Sequence, residues 1–280
     1  MVDGKLLLVV TTYNQLKYTK ICIRTIKNTH KLEHENIDID LVAFDDCSTD
    51  ETVNWLKEND VSVITKEKAA GLTDSWNNAY KYFKEHEEYK YLIIANNDII
   101  IPKGAINELV DVMENWPFST VVPLSTKYGA GHNGDNQGVE KIYQNTDIMF
   151  VNNPNNCQAV QDKLLAIKTE MNRVNNGYML DPVRRKMFNG FFFLMNRNVI
   201  NYEYDNGTIF DDTKPLYKAE DEFNWMKLIP NNDFVALCQT AFVFHFKGVS
   251  TVNFGEKYNT NKTFEKRRQE LEEREDNGNN

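Results

Sequence analysis

The chain has 280 residues, enough to bury a large core in one domain or two modest ones. With 32 basic against 41 acidic residues the formal charge is −9, which excludes a general nucleic-acid or anionic-membrane binder but leaves room for a local basic pocket. A hydrophobic share of 41% with 26% charged residues is that of a globular protein, neither disordered nor membrane-spanning.

In chain order, KLLLVVTT opens as a short β-rich run, and DIDLVAFD, VSVIT and KYLIIAN repeat the pattern. Helical stripes lie between and after them. Thr19, Cys22, Ile23 and Ile26 form one, and Leu72, Trp76, Ala79, Tyr80 and Phe83 another. Ile106, Leu109, Val110 and Met113 make a third, with Pro102 near its first helical position. Ser48-x-x-Glu51 reads as a capping box opening a short helix through Trp55. The strands lack in–out alternation and alternate with helices, which predicts a parallel sheet covered on both faces, a three-layer α/β fold.

From Leu124 to Met187 the pattern gives way to Asn, Gly and polar residues around one helix, QAVQDKLLAIKTEMNRV. Regular signals return in FNGFFFLMNR, in a helix around YKAEDEFNWMKLI, and in a long strand, DFVALCQTAFVFHF. No repeat or low-complexity linker intervenes. A single domain over residues 1–258 is expected, in halves 1–123 and 124–258, with a charged helix and disordered tail at 259–280. Cys22, Cys47, Cys157 and Cys238 show no CxxC or CxxH spacing, which predicts reduced thiols. The apolar run Leu6 to Val10 is too short for a signal peptide or for the ~20 residues of a membrane span, so a soluble, cytoplasmic protein is expected. The sequons at Asn206 and Asn261 then read as chance.

Ligands of a parallel α/β sheet bind at the carboxyl ends of its strands. Three strands end there in polar residues: Thr11-Thr12-Tyr13-Asn14, Asp45-Asp46 and Asn96-Asn97-Asp98. One such end is ordinary turn chemistry. Three on one edge predict a binding site, with Asp98 facing a divalent metal that carries a phosphate.

The segments VVTTYNQ, FDDCSTDET, KAAGLTDSWNNA and IIANNDIIIP, in that order, resemble the nucleotide-binding half of family-2 glycosyltransferases of the GT-A (Rossmann-like) fold. NGFFFLMNR, FDD with AEDEFNW, and FHFKGVS are similar to that family's acceptor-side strand, Glu-Asp motif and late His motif. The resemblance runs from about Leu6 to Ser250, leaving out 124–187 and the tail.

The resemblance implies roles. Thr11 and Tyr13 line a nucleobase pocket. One carboxylate of Asp45-Asp46 receives the base imino hydrogen, which implies uracil or thymine; Asp45 is favoured, with Asp46 preparing the turn. Gly71 lets the backbone approach the nucleotide, and Asn77 matches the asparagine of the same motif. Asn97 lies beside the ribose or sugar. Asp98 and His245 reach the metal or diphosphate, and Lys247 pairs with phosphate oxygens. Asp221 is the catalytic base, with Glu220 in reserve. Glu220, Asp221 and Glu222 are consecutive on a helix, so they point about 100° apart and cannot all face one cleft. Two positions depart from the family pattern: Asn96 replaces the first carboxylate of its metal motif, and Trp76 stands where an arginine often does.

The implied reaction is metal-dependent transfer of a sugar from a nucleoside-diphosphate donor, UDP-linked, to a hydroxyl of a glycan or other acceptor, with inversion. It needs charge neutralisation on the diphosphate by a divalent cation, Mn²⁺ or Mg²⁺, and a base for the acceptor hydroxyl. The sugar passes through an oxocarbenium-like state. Two rivals are a sugar-nucleotide nucleotidyltransferase, which would carry a Gly-rich basic N-terminal signature, and an inactive nucleotide- or carbohydrate-binding relative, in keeping with Asn96. GAGHNG (129–134) fits G-x-G-x-x-G without the strand and helix a dinucleotide site needs, and reads as a mobile loop. Phe191–Phe193 and Trp225 read as core. Arg184, Arg185 and Lys186 read as a solvated basic turn.

Overall fold

A computed structural model describes residues 4–33, 38–125, 153–175, 180–182, 190–213, 219–233 and 235–246. Its strands are β1 (Lys5–Thr12), β2 (Asp38–Asp45), β3 (Ser62–Thr65), β4 (Tyr89–Asn96), β5 (Ile99–Ile100), β6 (Thr120–Leu124), β7 (Leu180–Pro182), β8 (Phe192–Asn196), β9 (Val235–Phe242) and β10 (Phe244–His245). The helices are α1 (Leu16–Glu33), α2 (Thr52–Glu58), α3 (Leu72–Glu85), α4 (Ala105–Asn115), α5 (Pro154–Asn175) and α6 (Ala219–Glu222). Eight strands form one sheet in the order β3-β2-β1-β4-β8-β6-β9-β7, and β10 pairs with β5 in a small second sheet.

β1 to β4 are mutually parallel, as the strand–helix alternation predicts. β8 runs antiparallel between β4 and β6, and β7 runs antiparallel to β9. The sheet is thus mostly parallel and flanked by helices. Successive strand side chains point to opposite faces, and both faces are apolar here. Leu7 and Val9 of β1 and Leu92 and Ile94 of β4 pack with Trp76, Ala79, Tyr80 and Phe83 of α3. Leu6, Leu8, Val10 and Ile93 pack on the other face with Cys22, Ile23 and Ile26 of α1 and Leu109 of α4. Truncating a fully buried leucine such as Leu8 to alanine would cost about 2–5 kcal/mol.

Four local expectations are corrected. The Ser48–Glu51 capping box does not form. α2 starts at Thr52, with Asp50 Oδ1 accepting from the Thr52 N–H, while the Ser48 hydroxyl turns back to Asp45. α4 starts at Ala105 behind Gly104, so Pro102 lies ahead of the helix.

The long strand divides in two. Pro123 of β6 pairs with Cys238, but the next residue, Leu124, pairs with Phe242, leaving a bulge between. Past the bulge the chain leaves the main sheet, and β10 pairs antiparallel with β5, placing His245 opposite Ile99. The last helix is also broken: α6 continues as a π turn (Phe223–Leu228) and a 3-10 turn (Ile229–Asn231). Buried Asn224 in that π turn accepts the Val235 N–H at the start of β9, tying the helix to the sheet.

Among the described residues no helix is long and apolar enough to cross a membrane. Cys22, Cys47, Cys157 and Cys238 are free thiols. The GAGHNG loop, the 184–186 turn, Lys247 and the segment 259–280 lie outside the described residues.

Candidate active site

The register that aligns β1 with its neighbours also gathers the polar strand tips. Thr12 pairs with Asp45 and Thr11 with Asn96, so all three tips share one edge. Tyr13 follows β1 there, half-buried. Asn14, Gln15 and Cys47 adopt φ values of 53°, 65° and 63°, a left-handed conformation that costs non-glycine residues energy and recurs at functional sites. Hydrogen bonds hold these loops. The Asn14 carboxamide oxygen accepts the Thr49 N–H at 2.7 Å, and the Asn14 N–H donates to Ser48 Oγ at 2.7 Å.

Asp45 is closed off within this stitching. One oxygen accepts from the Thr12 hydroxyl at 2.9 Å and from the Ser48 hydroxyl, and the other accepts from the Ser48 N–H at 2.8 Å. At 0% exposure, Asp45 is held by these bonds within the fold. Asp46 does not merely prepare a turn. It accepts from the Ala70 and Gly71 N–H groups at 2.9 and 3.0 Å, and it pairs with Lys66 at 2.8 Å. Lys66 also pairs with Asp74 at 2.7 Å. Gly71, at φ 95°, turns its N–H into this carboxylate as the residue that caps α3. Burial, and then the charges of Asp46 and Asp45, push the Cys47 thiol up and keep it protonated.

Two further asparagines make hydrogen bonds within the fold. Asn77 exchanges two hydrogen bonds with the Phe210 backbone, at 2.9 and 3.1 Å, bolting α3 to the 197–213 segment. Asn97 donates to Thr19 Oγ1 at 2.9 Å and to the Asn14 carbonyl at 3.1 Å, fixing the start of α1. Thr11 is likewise buried, its hydroxyl donating to the Ala95 carbonyl at 3.2 Å.

Asp98 and His245 meet although they are remote in sequence. His245 Nε2 lies 3.2 Å from Asp98 Oδ1, and the Phe246 N–H donates to the Asp98 carbonyl at 3.0 Å. The imidazole stacks on Phe191 at 4.6 Å. His245 Nδ1 and Asn96 Oδ1 are buried without hydrogen-bond partners. A carboxylate oxygen and an imidazole nitrogen, with buried polar atoms left over, fit Mn²⁺ or Mg²⁺. No group of three or more His, Cys, Asp or Glu able to hold a metal occurs among the described residues, so a ligand's own oxygens would have to complete the coordination.

On the second side of β4, Gly190 is crowded. A Cβ there would lie 2.5 Å from Trp76 Cη2 and 3.0 Å from Glu220 Cδ. Trp76 is 2% exposed and packs against Phe193 and Phe210, so the position that often carries arginine is core here. Phe191–Phe193 are buried as expected, but Trp225 is 44% exposed on the π turn, a correction to its reading as core. Asp221 follows Glu220 in α6; its side chain lies outside the described residues. Sequence reasoning missed Lys66 and Gly190. Lys66 directly follows the last residue of β3, so a strand-tip position was its available signal.

The chain matches the description "Glycosyl transferase family 2" over residues 7–173. It belongs to glycosyl transferase family 2. No curated relative matches it in sequence. This family-2 chain is similar in structure to S. aureus TarS 1-349 in complex with UDP, with a TM-score of 0.53 at 15% identity over 86% of this chain and 60% of that one. It is also similar to the mannosyltransferase PcManGT from Pyrobaculum calidifontis in complex with GDP-Man and Mn²⁺, with a TM-score of 0.55 at 12% identity over 89% and 59% of the two chains. At these identities the likeness shows the GT-A fold. The family-2 chain spans less than two thirds of either protein's length.

Proposed function

We propose that this protein transfers a sugar from a uridine-diphosphate donor to an acceptor hydroxyl, with a divalent cation as cofactor and inversion at the sugar carbon. The observation that carries the reading is the Asp98–His245 pair, 3.2 Å apart on the strand edge shared with Tyr13 and Asp46. Family membership, the UDP in the TarS structure and the Mn²⁺ with GDP-Man in PcManGT lend support.

In this reading Asp98 and His245 hold the cation, which when bound supplies Lewis acidity toward the diphosphate. Tyr13 and the Lys66–Gly71 loop border the nucleoside. The Asp45–Asp46 pair supplies the carboxylate that faces the base, Asp46 also bonding to that loop. Asp221, with Glu220 beside it, accepts the proton of the attacking hydroxyl. One base and no nucleophile in this set favour a single displacement. The strands of both sequence halves act as one domain around the site.

Calorimetry of UDP binding with and without Mn²⁺ tests the donor side. Wild type should bind UDP in a Mn²⁺-dependent way, and Asp98→Ala should lose the metal-dependent part. No binding under either condition would overturn the proposal. Donor hydrolysis by wild type but not by Asp221→Asn tests the base. Metal-dependent binding with no turnover of any nucleotide sugar would favour the inactive relative that Asn96 brings to mind.

A further inference from the structure

We propose that Gln161, on α5, is the positioning residue that delivers His245 to Asp98; the functional meaning rests on the metal-site reading above, the structural claim does not. Gln161 has 0% exposure, and its carboxamide is used at both ends. Nε2 donates to the Thr240 carbonyl at 2.7 Å, and Oε1 accepts the Phe242 N–H at 2.8 Å. Thr240 lies within the bulge in β9, where the pairing with β6 jumps from Cys238 to Phe242, and Phe242 is the residue at which that pairing resumes. The side-chain amide stands in for a neighbouring strand, offering one donor and one acceptor at peptide spacing.

The consequence lies three residues downstream. Val243 makes the next bond to β6, donating its N–H to Leu124 O at 2.9 Å. Phe244 and His245 then pair with Ile100 and Ile99, and Phe246 closes onto the Asp98 carbonyl. Three residues, 239–241, lie between the paired positions Cys238 and Phe242; a strand that absorbed them would shift its later register by three, and an odd shift turns every later side chain to the opposite face. Keeping the bulge therefore keeps His245 facing Asp98. α4 braces the same turn: the Thr240 hydroxyl donates to Glu108, which Lys168 of α5 pairs with at 2.8 Å. Gln161 is the member that holds the bulged backbone itself.

The test compares Gln161→Met, which keeps volume but loses both hydrogen bonds, with Arg197→Met. Arg197 donates to the Phe83, Lys84, His86 and Tyr89 carbonyls at the end of α3, remote from the bulge, and serves as a control for lost stability. Two readouts are taken: the imidazole NMR resonances of His245 in the metal-free protein, and UDP affinity with and without Mn²⁺. Gln161→Met should shift the His245 resonances and weaken the Mn²⁺-dependent affinity about tenfold or more, leaving metal-free UDP affinity unchanged. Arg197→Met should lower the melting temperature and move neither. Should Gln161→Met fail to fold, Gln161→Glu, which keeps an acceptor for Phe242 and loses the donor to Thr240, should give a smaller shift of the same kind. Unmoved His245 resonances in the folded variant would overturn the proposal. Shifted resonances in a protein whose wild type shows no metal-dependent UDP binding would uphold the positioning role and sink the donor reading instead.

Discussion

Lys66 illustrates how much at this site depends on one side chain. It is about one-tenth exposed and neutralises Asp46, itself nearly buried, as well as the more open Asp74. Removing one partner of a buried pair leaves an uncompensated charge, which costs about 3–5 kcal/mol. Lys66→Met should fall at the low end of that range in urea unfolding, because Asp74 stays hydrated. Adding Asp46→Asn should recover part of the loss. Gly190 gives a second prediction. A methyl group 2.5 Å from Trp76 must push that ring or Glu220 aside, so Gly190→Ala should destabilise by about 1–3 kcal/mol and lower turnover more than donor affinity. At this scale the sequence disclosed where residues sit better than what they touch. Asp45, Asn77 and Asn97 were legible as strand-tip and motif residues. Their partners, Thr12 and Ser48, Phe210, and Thr19, are set by the folded chain, and local spacing carries no trace of them.

Helices and strands with a strong apolar period were legible; their interruptions were not. The stripes of α1 and α3 are buried as their spacing predicts, Leu72 at the start of α3 only partly. The break between β9 and β10 depends on Gln161, far away in the chain, and so left no local mark in an apolar run. The capping box failed because Ser48 had a stronger use: a buried carboxylate at Asp45 outcompetes a helix N–H that Asp50 can serve. The segment after β8 is pinned to α3 by Glu203, which accepts from Lys84 at 2.7 Å and from the Tyr80 hydroxyl. Burial alone would raise the Glu203 pKa, but these donors outweigh it and hold it below its usual 4.5. A carboxylate lowered in the folded state stabilises above its unfolded pKa, and that contribution is lost as pH falls through the lower folded value. Glu203→Gln should therefore melt at lower temperature than wild type at neutral pH, and the gap should close on acidification below about pH 4.5 in melting scans.

Taken whole, the fold brings Asp98 and His245 together from distant parts of the chain. Asp98 and His245 are held by contacts of the fold itself, the Phe246–Asp98 backbone bond and the Phe191 stack, so EDTA alone should leave the melting temperature unchanged. On the donor reading proposed above, UDP with Mn²⁺ binds the folded state, and at about 100 times Kd should add about 2.7 kcal/mol. For a chain of this size that corresponds to a rise of about 5–10 °C by scanning fluorimetry. The three-layer architecture was legible from alternating strands and helices. The antiparallel insertion of β8 between β4 and β6 was not, because a strand buried on both faces reads alike in either direction.

The meeting of Asp98 with His245 has a consequence for the nascent chain. The stretch that matches the family ends at residue 173, well before the imidazole is synthesised. A ribosome that has released only that stretch has exposed Asp46, Asp98 and Gln161, yet not His245. On the metal reading proposed above, cation capture would wait until the β9 segment lies beside β6, and a polypeptide cut off near residue 173 would carry the family's signature without His245.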